Sequence, residues 1–315
     1  MDKPKIQTLH KSGVGIAVEQ GNVISFPIHR SIAMSIMQLA VMLLTKASTW
    51  MLSATTTGNS MSIQLQPQSA DLDQWVLLAQ QEEASFEVMD PFFLSGIGDF
   101  GKHETIAEQF RKSGMAKSVH GAFIDVNPAS GDPAFRELSR RRCRESCEIA
   151  AALGAGNLVF HSSAFPFLRG AYLENWAAGC ASFYEELVEQ YPVRVYIENA
   201  QDVDPTPLRC LMERIQSDNI GVCLDIGHVH YSRTPVSQWF EELADWIGYL
   251  HLSDNLGEFD DHLPLGQGSI HWELVNSLWK SLGRDIPITL ETGNLDSTKE
   301  SLRFLRQHQY FGLEG

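Results

Sequence analysis

The sequence predicts an α/β fold, a (β/α)8 TIM barrel with an N-terminal extension, and two patterns support this prediction. From Met61 onward, apolar runs alternate with helical patterns as eight strand–helix units over about 250 residues, the usual size of such a barrel. Six of the apolar runs end in His, Asp or Glu. Parallel strands in one barrel bring their carboxyl ends to the same face, where this fold carries its chemistry. An open, doubly wound sheet is disfavoured because the first strand–helix turn lacks a Gly-rich phosphate-binding fingerprint.

The predicted strands are short apolar runs bounded by turn residues. They lie, in chain order, at residues 62–66, 85–89, 118–121, 157–161, 194–199, 220–225, 247–252 and 287–292. Helices are predicted where capping signals precede helical patterns. Capping-box spacing is present at 71–74 and 297–300, and a cap residue followed by proline at 132–133, 206–207 and 234–235. The predicted helices cover 71–83, 102–112, 132–154, 172–190, 271–282 and 297–308, and two more begin at 206 and 234.

The stretch at residues 220–230 is the most informative part of the sequence. An apolar run typical of a strand buried on both faces ends in Asp225, and His228 follows three residues later. A carboxylate and an imidazole beside an apolar core must be paired, hydrated or bound to a ligand. Turn capping by Asp225 with a hydrogen-bonded His228 is the alternative interpretation of this stretch alone. Other predicted strands end in the same way, at His120, His161, Glu198, His251 and Glu291. This recurrence favours a shared binding site.

Composition and charge limit the classes of function. The sequence has 43% hydrophobic and 10% aromatic residues, enough for a large globular core, and its net charge is −15. Such acidity argues against non-specific binding to nucleic acid or to an anionic membrane. The five cysteines form no C-x-x-C pair, so we expect reduced thiols in a cytoplasmic protein. We therefore expect a small-molecule partner and no nucleic-acid or membrane partner, and a homo-oligomer is compatible with the sequence.

Residues 1–60 differ from the rest of the chain and are predicted to be a separate extension, with the barrel domain at 61–315. They carry five basic and two acidic side chains, a net charge of +3, so the remainder carries −18. Residues 14–26 have the pattern of a hairpin. The apolar run at 32–44 is too short to span a membrane, and 53–60 has the composition of a linker. We expect this extension to be dispensable for the chemistry, and an oligomerisation arm is the alternative.

Five stretches carry a resemblance to a known superfamily. They are Tyr196-Ile-Glu-Asn199, Cys223-Leu-Asp-Ile-Gly-His228, His251-Leu-Ser-Asp-Asn255, Asp260-Asp-His-Leu-Pro-Leu-Gly-Gln-Gly268 and Thr289-Leu-Glu-Thr292. On these residues, the chain from Met61 onward resembles the xylose-isomerase-like barrel superfamily, which holds sugar phosphate isomerases and epimerases and the endonuclease IV group. The resemblance implies one divalent metal ion, and the implied ligands are Glu198, Asp225, His251 and Glu291. It also implies that Glu198 and Glu291 double as an acid/base pair.

These residue types suit such chemistry in their own right. Carboxylates with one imidazole form a hard, mostly oxygen site that suits Mn²⁺ or Mg²⁺ and tolerates Zn²⁺ or Co²⁺. A metal that chelates a carbonyl oxygen and the adjacent hydroxyl acidifies the neighbouring C–H bond and stabilises an enediolate. One carboxylate can then take the proton and the other return it. We therefore predict a metal-dependent isomerase or epimerase of a sugar or sugar phosphate, with Glu198 and Glu291 as the catalytic residues.

Substrate binding is assigned to the other polar residues near these strand ends. They are His120, His161, His228, Asp260 and His262. Similar epimerases place a further glutamate shortly after the first metal glutamate, whereas this chain has Asp202 and Asp204 there. A metal-free cluster of buried ion pairs is disfavoured because no Lys or Arg adjoins the four predicted ligands in the sequence.

Hydrolysis of phosphodiesters is the alternative function. The endonuclease IV group, as the resemblance implies, shares three zinc ions among nine ligands, and this chain has a candidate for each. They are His120, His161, Glu198, Asp225, His228, His251, Asp260, His262 and Glu291. The acidity of the barrel and the lack of a Gly-rich continuation at 199–204 argue against this function. A catalytically inactive binding module is disfavoured because both glutamates are present. Metal content would separate the two enzymes, with one ion expected for the isomerase and three zinc ions for the nuclease.

Overall fold

A computed structural model gives the fold of this chain and describes residues 14–19, 22–27, 63–90, 103–166 and 168–314. The chain divides into two compact units, 1–59 and 60–315. In the first unit, β1 (Val14–Glu19) and β2 (Asn22–Pro27) pair antiparallel, which confirms the predicted hairpin. The predicted apolar run at 32–44 and the linker at 53–60 lie outside the described residues.

The second unit is a closed barrel of eight parallel strands, as predicted, in which the last strand pairs with the first. The barrel strands are β3 (Ile63–Leu65), β4 (Ser85–Met89), β5 (Ala116–His120), β6 (Asn157–His161), β7 (Arg194–Glu198), β8 (Ile220–Asp225), β9 (Ile247–Leu252) and β10 (Ile288–Leu290). The helices are α1 (Leu72–Gln81), α2 (His103–Ser113), α3 (Pro133–Leu153), α4 (Ala171–Gln190), α5 (Thr206–Met212), α6 (Ile226–Ser232), α7 (Val236–Leu243), α8 (Trp272–Ser281) and α9 (Leu295–His308).

Helix α3 shows how local sequence sets an element. The Asp132 carboxylate accepts hydrogen bonds from the backbone N–H groups of Ala134 and Phe135 at 2.8 and 3.0 Å, and Pro133 occupies the first turn. At the other end, Gly154 takes a left-handed conformation with φ of 74°, where glycine is favoured. The predicted bounds are therefore confirmed to within one residue.

Two predicted caps and one connection are wrong in detail. The Asp71 carboxylate makes no cap; it accepts the indole N–H of Trp75 at 3.0 Å, one turn further on. The last helix begins at Leu295 rather than after Ser297, because the Asn294 side chain caps it by accepting the backbone N–H of Ser297. Helix α6, directly after β8, was not predicted, since its seven residues are too few for a periodic pattern.

Most of the core lies between the barrel and the surrounding helices. Inside the barrel, a smaller cluster contains Val159, Tyr196, Cys223 and Tyr249. The Tyr196 ring fits there because the chain has glycine at 221 and 248: a Cβ atom at Gly248 would lie 2.7 Å from that ring. These glycines are therefore needed for close packing rather than for a turn.

The five cysteines are free and buried, which agrees with the predicted reduced thiols. Burial raises the pKa of the Cys147 thiol to about 12, so this group is not reactive at neutral pH. Within the described ranges, no helix combines the length and the apolar character needed to cross a membrane.

Candidate metal centre

Strand alternation explains why ligand-type side chains converge at the carboxyl end of the barrel. Side chains two residues apart on a strand face the same way. Tyr196 and Tyr249 face the interior, so Glu198 and His251, two residues further along, face the interior at its carboxyl end. The parallel register then sets Asp225 beside His251.

Four of the predicted residues form one cluster. They are Glu198, Asp225, His251 and Glu291, and each offers one ligand atom within 4.8 Å of the others. The Nδ1 atom of His251 lies 3.4 Å from Oε1 of Glu198 and 3.3 Å from Oε1 of Glu291. All four side chains are buried.

Several polar atoms of this cluster are buried without a hydrogen-bond partner. They are both carboxylate oxygens of Glu198, Oδ2 of Asp225 and Nδ1 of His251. An unpartnered buried polar atom is costly, and a buried carboxylate needs a cation or several donors. The donor set and these unsatisfied atoms therefore fit a divalent ion.

The two oxygens of Glu198 face different imidazoles. Oε1 faces the ring of His251, whereas Oε2 lies 3.3 Å from Nε2 of His120 and 3.6 Å from Nε2 of His161. His120, His161 and Glu198 form a second potential metal-binding group. One carboxylate is thus shared by two adjacent groups of ligand-type side chains.

The charge states in this region depend on burial and on neighbouring ionised groups. Burial alone would raise the pKa of Glu198, but the imidazole of His251 holds it well below its ordinary range. Burial would lower the pKa of His120, yet the Glu198 carboxylate, 3.3 Å from its Nε2 atom, raises it to about 9. Burial lowers the pKa of His161 to about 3, so this ring is neutral at pH 7 and has a lone pair free for a metal.

A third group surrounds Asp260 on the loop after β9. Its Oδ2 atom lies 3.2 Å from Nε2 of His228 and 3.0 Å from Nε2 of His262. Both rings are oriented through Nδ1, which is 2.7 Å from the backbone oxygen of Asn199 in His228 and of Glu291 in His262. With Nδ1–H donating to a carbonyl, each Nε2 is directed towards Asp260, as in the orientation of metal-binding histidines.

Asp254 fixes the loop that carries Asp260 and His262. Its carboxylate is fully buried and accepts four hydrogen bonds. The donors are the backbone N–H groups of Asn255, Gly266 and Ile270 and the indole N–H of Trp272. Asp254 therefore organises the loop, although its position close to a strand end resembles that of a ligand.

All nine predicted side chains thus lie in one region at the carboxyl end of the barrel. Sequence reasoning missed two polar neighbours, Gln66 and Glu87. The Gln66 amide donates to Oε1 of Glu291 at 2.6 Å, and Glu87 contacts His251 from beneath. The sequence signal that could have identified them is a polar residue in an otherwise apolar run. Glu87 lies within β4 at an inward-facing position, and Gln66 directly follows β3.

Asp202 and Asp204, which stand where similar epimerases place a further glutamate, make local contacts. Oδ1 of Asp204 accepts the backbone N–H of Thr206 at 2.9 Å. Oδ2 of Asp202 accepts hydrogen bonds from the Ser162 hydroxyl at 2.6 Å and from the backbone N–H of Ala200 at 3.2 Å. Both residues therefore have a structural role at the start of the connection to α5.

Asp202 gives a testable dependence of stability on pH. Burial raises its pKa from 3.8 to about 6, so the folded protein holds this proton more tightly than the unfolded chain does. Its contribution to stability is then full below about pH 4 and is lost as the pH rises through 6. We expect Asp202→Asn to stabilise the metal-free protein at pH 7.5, by up to about 3 kcal/mol, and to have little effect at pH 4. Urea unfolding at both pH values measures this, and equal effects at the two pH values would contradict it.

Comparisons with known proteins agree with this fold. Residues 82–308 match the xylose isomerase-like TIM barrel family, and the chain belongs to that family. A probable endonuclease 4 of Mycobacterium leprae is 27% identical over 220 residues, which cover 64% of this chain and 82% of that protein. Members of this superfamily are mostly enzymes, among them epimerases, isomerases and endonucleases, and they bind metal ions.

The solved structures that are similar to this chain include the two that follow. The TTHB071 protein from Thermus thermophilus, soaked with ZnCl₂, is 26% identical with a TM-score of 0.61, and the match covers 78% of this chain and 97% of that chain. A D-tagatose 3-epimerase-like protein has a TM-score of 0.64 at 24% identity and covers 79% of this chain and 97% of that chain. At this identity, the likeness to the second structure shows the fold alone.

Proposed function

We propose that the protein is a phosphoester hydrolase with a multinuclear centre of divalent ions, preferably zinc. The observation that carries this proposal is the shared position of Glu198, whose Oε1 and Oε2 face different imidazoles. In a single-ion site, the histidine pair on the far oxygen of this carboxylate would not be metal ligands, whereas a second ion would use both rings. Two adjacent ions joined by one carboxylate are common in metal-dependent phosphatases and nucleases.

The proposal divides the nine side chains into three groups. The first is His120, His161 and Glu198, the second is Glu198, Asp225, His251 and Glu291, and the third is His228, Asp260 and His262. Imidazole-rich groups favour Zn²⁺ over Mg²⁺. Ions bound there would supply Lewis-acid activation of water and of the phosphoryl oxygens.

Neighbouring residues orient the ligand-type side chains and line a cavity beside them. His228 and His262 are oriented by backbone carbonyls before any ion binds, which reduces the cost of ordering them. Beside His161 lies a cavity of about 250 Å³, lined in part by Phe123, Asn127 and Gln201. This cavity is suited to the organic part of a small phosphoester, with aromatic and amide side chains to contact it.

The substrate class follows from charge and from the relatives. The name of the Mycobacterium leprae relative points to DNA, but residues 61–315 carry a net charge of −18. A long duplex needs many phosphate-neutralising Lys and Arg side chains. We therefore propose a small phosphoester, such as that of a sugar, with abasic DNA as the competing substrate to be tested.

Epimerisation of a keto-sugar or its phosphate is the second candidate, with one ion per chain. It is favoured by the meeting of Glu198 and Glu291 at His251, 3.4 and 3.3 Å from one ring nitrogen. Two carboxylates around one ion can move a proton between the faces of a carbon atom. In this alternative, His120, His161, His228, Asp260 and His262 bind the substrate.

Metal content and substrate assays separate the two candidates. We expect about three Zn²⁺ per chain after reconstitution, and about two in His262→Ala, by mass-spectrometric metal analysis. We also expect hydrolysis of a small phosphodiester, and stronger activity on it than on an abasic DNA duplex. One ion per chain, together with deuterium exchange next to the carbonyl of a ketose in ²H₂O, would overturn the hydrolase and support the epimerase.

A further inference from the structure

The Glu87 carboxylate lies inside the barrel beneath the metal centre and is fully buried. Its Oε1 and Oε2 atoms lie 3.1 and 3.2 Å from Nε2 of His251. The hydroxyls of Tyr249 and Thr289 also donate to Oε2, at 2.8 and 3.3 Å. Within the described residues, Glu87 belongs to none of the potential metal-binding groups. Glu87 therefore lies beneath these groups and accepts hydrogen bonds without belonging to any of them.

The contact with Glu87 decides which nitrogen of His251 faces the centre. A carboxylate accepts hydrogen bonds and does not donate them, so the nitrogen next to Glu87 carries a proton. The other nitrogen, Nδ1, points into the space between Glu198 and Glu291 and has no hydrogen-bond partner. A neutral ring with its proton on Nε2 thus presents its lone pair where an ion would bind.

We propose that Glu87 is a positioning residue: it holds the Nε2–H of His251 and thereby directs Nδ1 of that ring to the metal ion. This inference rests on the proposed function only in requiring an ion at the Glu198, Asp225, His251 and Glu291 group. A carboxylate on the far nitrogen of a metal-binding histidine fixes the ring and makes it a stronger ligand. This role also accounts for the presence of a buried acidic side chain in the middle of β4. Of the four side chains in the metal-binding group, Glu87 contacts His251.

A double-mutant cycle tests this role. The affinity for Co²⁺ is measured by titration of metal-free protein, following the visible bands of the bound ion. We expect Glu87→Gln to weaken binding about 10- to 100-fold and to shift those bands. In a His251→Ala background, the same substitution is expected to change the affinity less than about 2-fold, since the two residues act through one contact. Asp202→Asn, which also removes a buried carboxylate near the centre, is the matched control and should leave the affinity unchanged.

The outcomes distinguish this inference from the proposed function. Unchanged affinity in Glu87→Gln, or an equal loss in both backgrounds, would overturn the positioning role while the metal centre stands. If His251→Ala binds Co²⁺ as tightly as the unmodified protein does, no ion lies at this group and both proposals fail. Should Glu87→Gln not fold, Tyr249→Phe replaces it: removing this 2.8 Å donor to Glu87 should weaken Co²⁺ binding severalfold, and no change would overturn the inference.

Discussion

Replacing Glu198 by Gln is expected to remove two ions at once and to lower phosphoester hydrolysis by about 10⁴-fold, the scale seen when a member of a catalytic unit is lost. The reason is the shared position of this carboxylate, since its two oxygens face the His120 and His161 pair on one side and His251 on the other. The amide keeps the shape but loses the charge. Metal analysis should find about one ion per chain, held by the third group.

The matched control is Glu137→Gln on α3, which makes the same chemical change on a side chain that is 76% exposed. It should keep the full metal content and activity. Loss of a single ion with the others retained would show that Glu198 is not shared between two ions.

Replacing Asp254 by Ala is expected to give the largest loss of stability, about 4 kcal/mol or more. Four donors would lose their acceptor, and the buried ones cost about 1–3 kcal/mol each. The loop would also loosen, so Asp260 and His262 would no longer meet at 3.0 Å. Urea unfolding and metal content measure the two effects, and we expect the third ion to be lost before the other two.

Asp254→Asn is the graded control for this prediction, because its amide keeps the shape and one acceptor oxygen. It should fall between the unmodified protein and Asp254→Ala in stability. A folded Asp254→Ala protein with three ions would show that the loop is held by other contacts, such as the two backbone hydrogen bonds between residues 254 and 263, at 3.0 and 2.8 Å.

Most of the fold was predictable from the sequence because its signals are local. Apolar runs with abrupt ends predicted the barrel strands. Asp132 followed by Pro133 predicted the start of α3, and Gly154 predicted its end. The errors came from competition that a sequence does not show. Asp71 has the residue type of a cap, but its carboxylate accepts the indole N–H of Trp75 instead. Ser297 does not cap the last helix, because its own backbone N–H donates to the capping side chain of Asn294.

The candidate site was predictable in membership but not in arrangement. Strand ends on one face bring the nine side chains together whatever their order, so residue types were sufficient to find them. Which oxygen of Glu198 faces which ring, and the anchoring of His228 and His262 to carbonyls, depend on side-chain orientation across strands. Glu87 was missed for the same reason, because its partner lies on β9, 164 positions further along the chain.

The tyrosine pair beneath the centre determines the route by which a small molecule or ion can reach the ligand-type side chains. Tyr196 and Tyr249 pack with ring centroids 5.2 Å apart, and the glycines at 221 and 248 let the first ring lie flush against the strands. The two rings therefore fill the barrel interior on the amino-terminal side of the ligand-type side chains. An ion or small molecule is expected to reach these side chains from the carboxyl end. In the proposed hydrolase, ions and substrate would both enter from this end, so we expect a bound substrate analogue to slow the removal of the ions by a chelator.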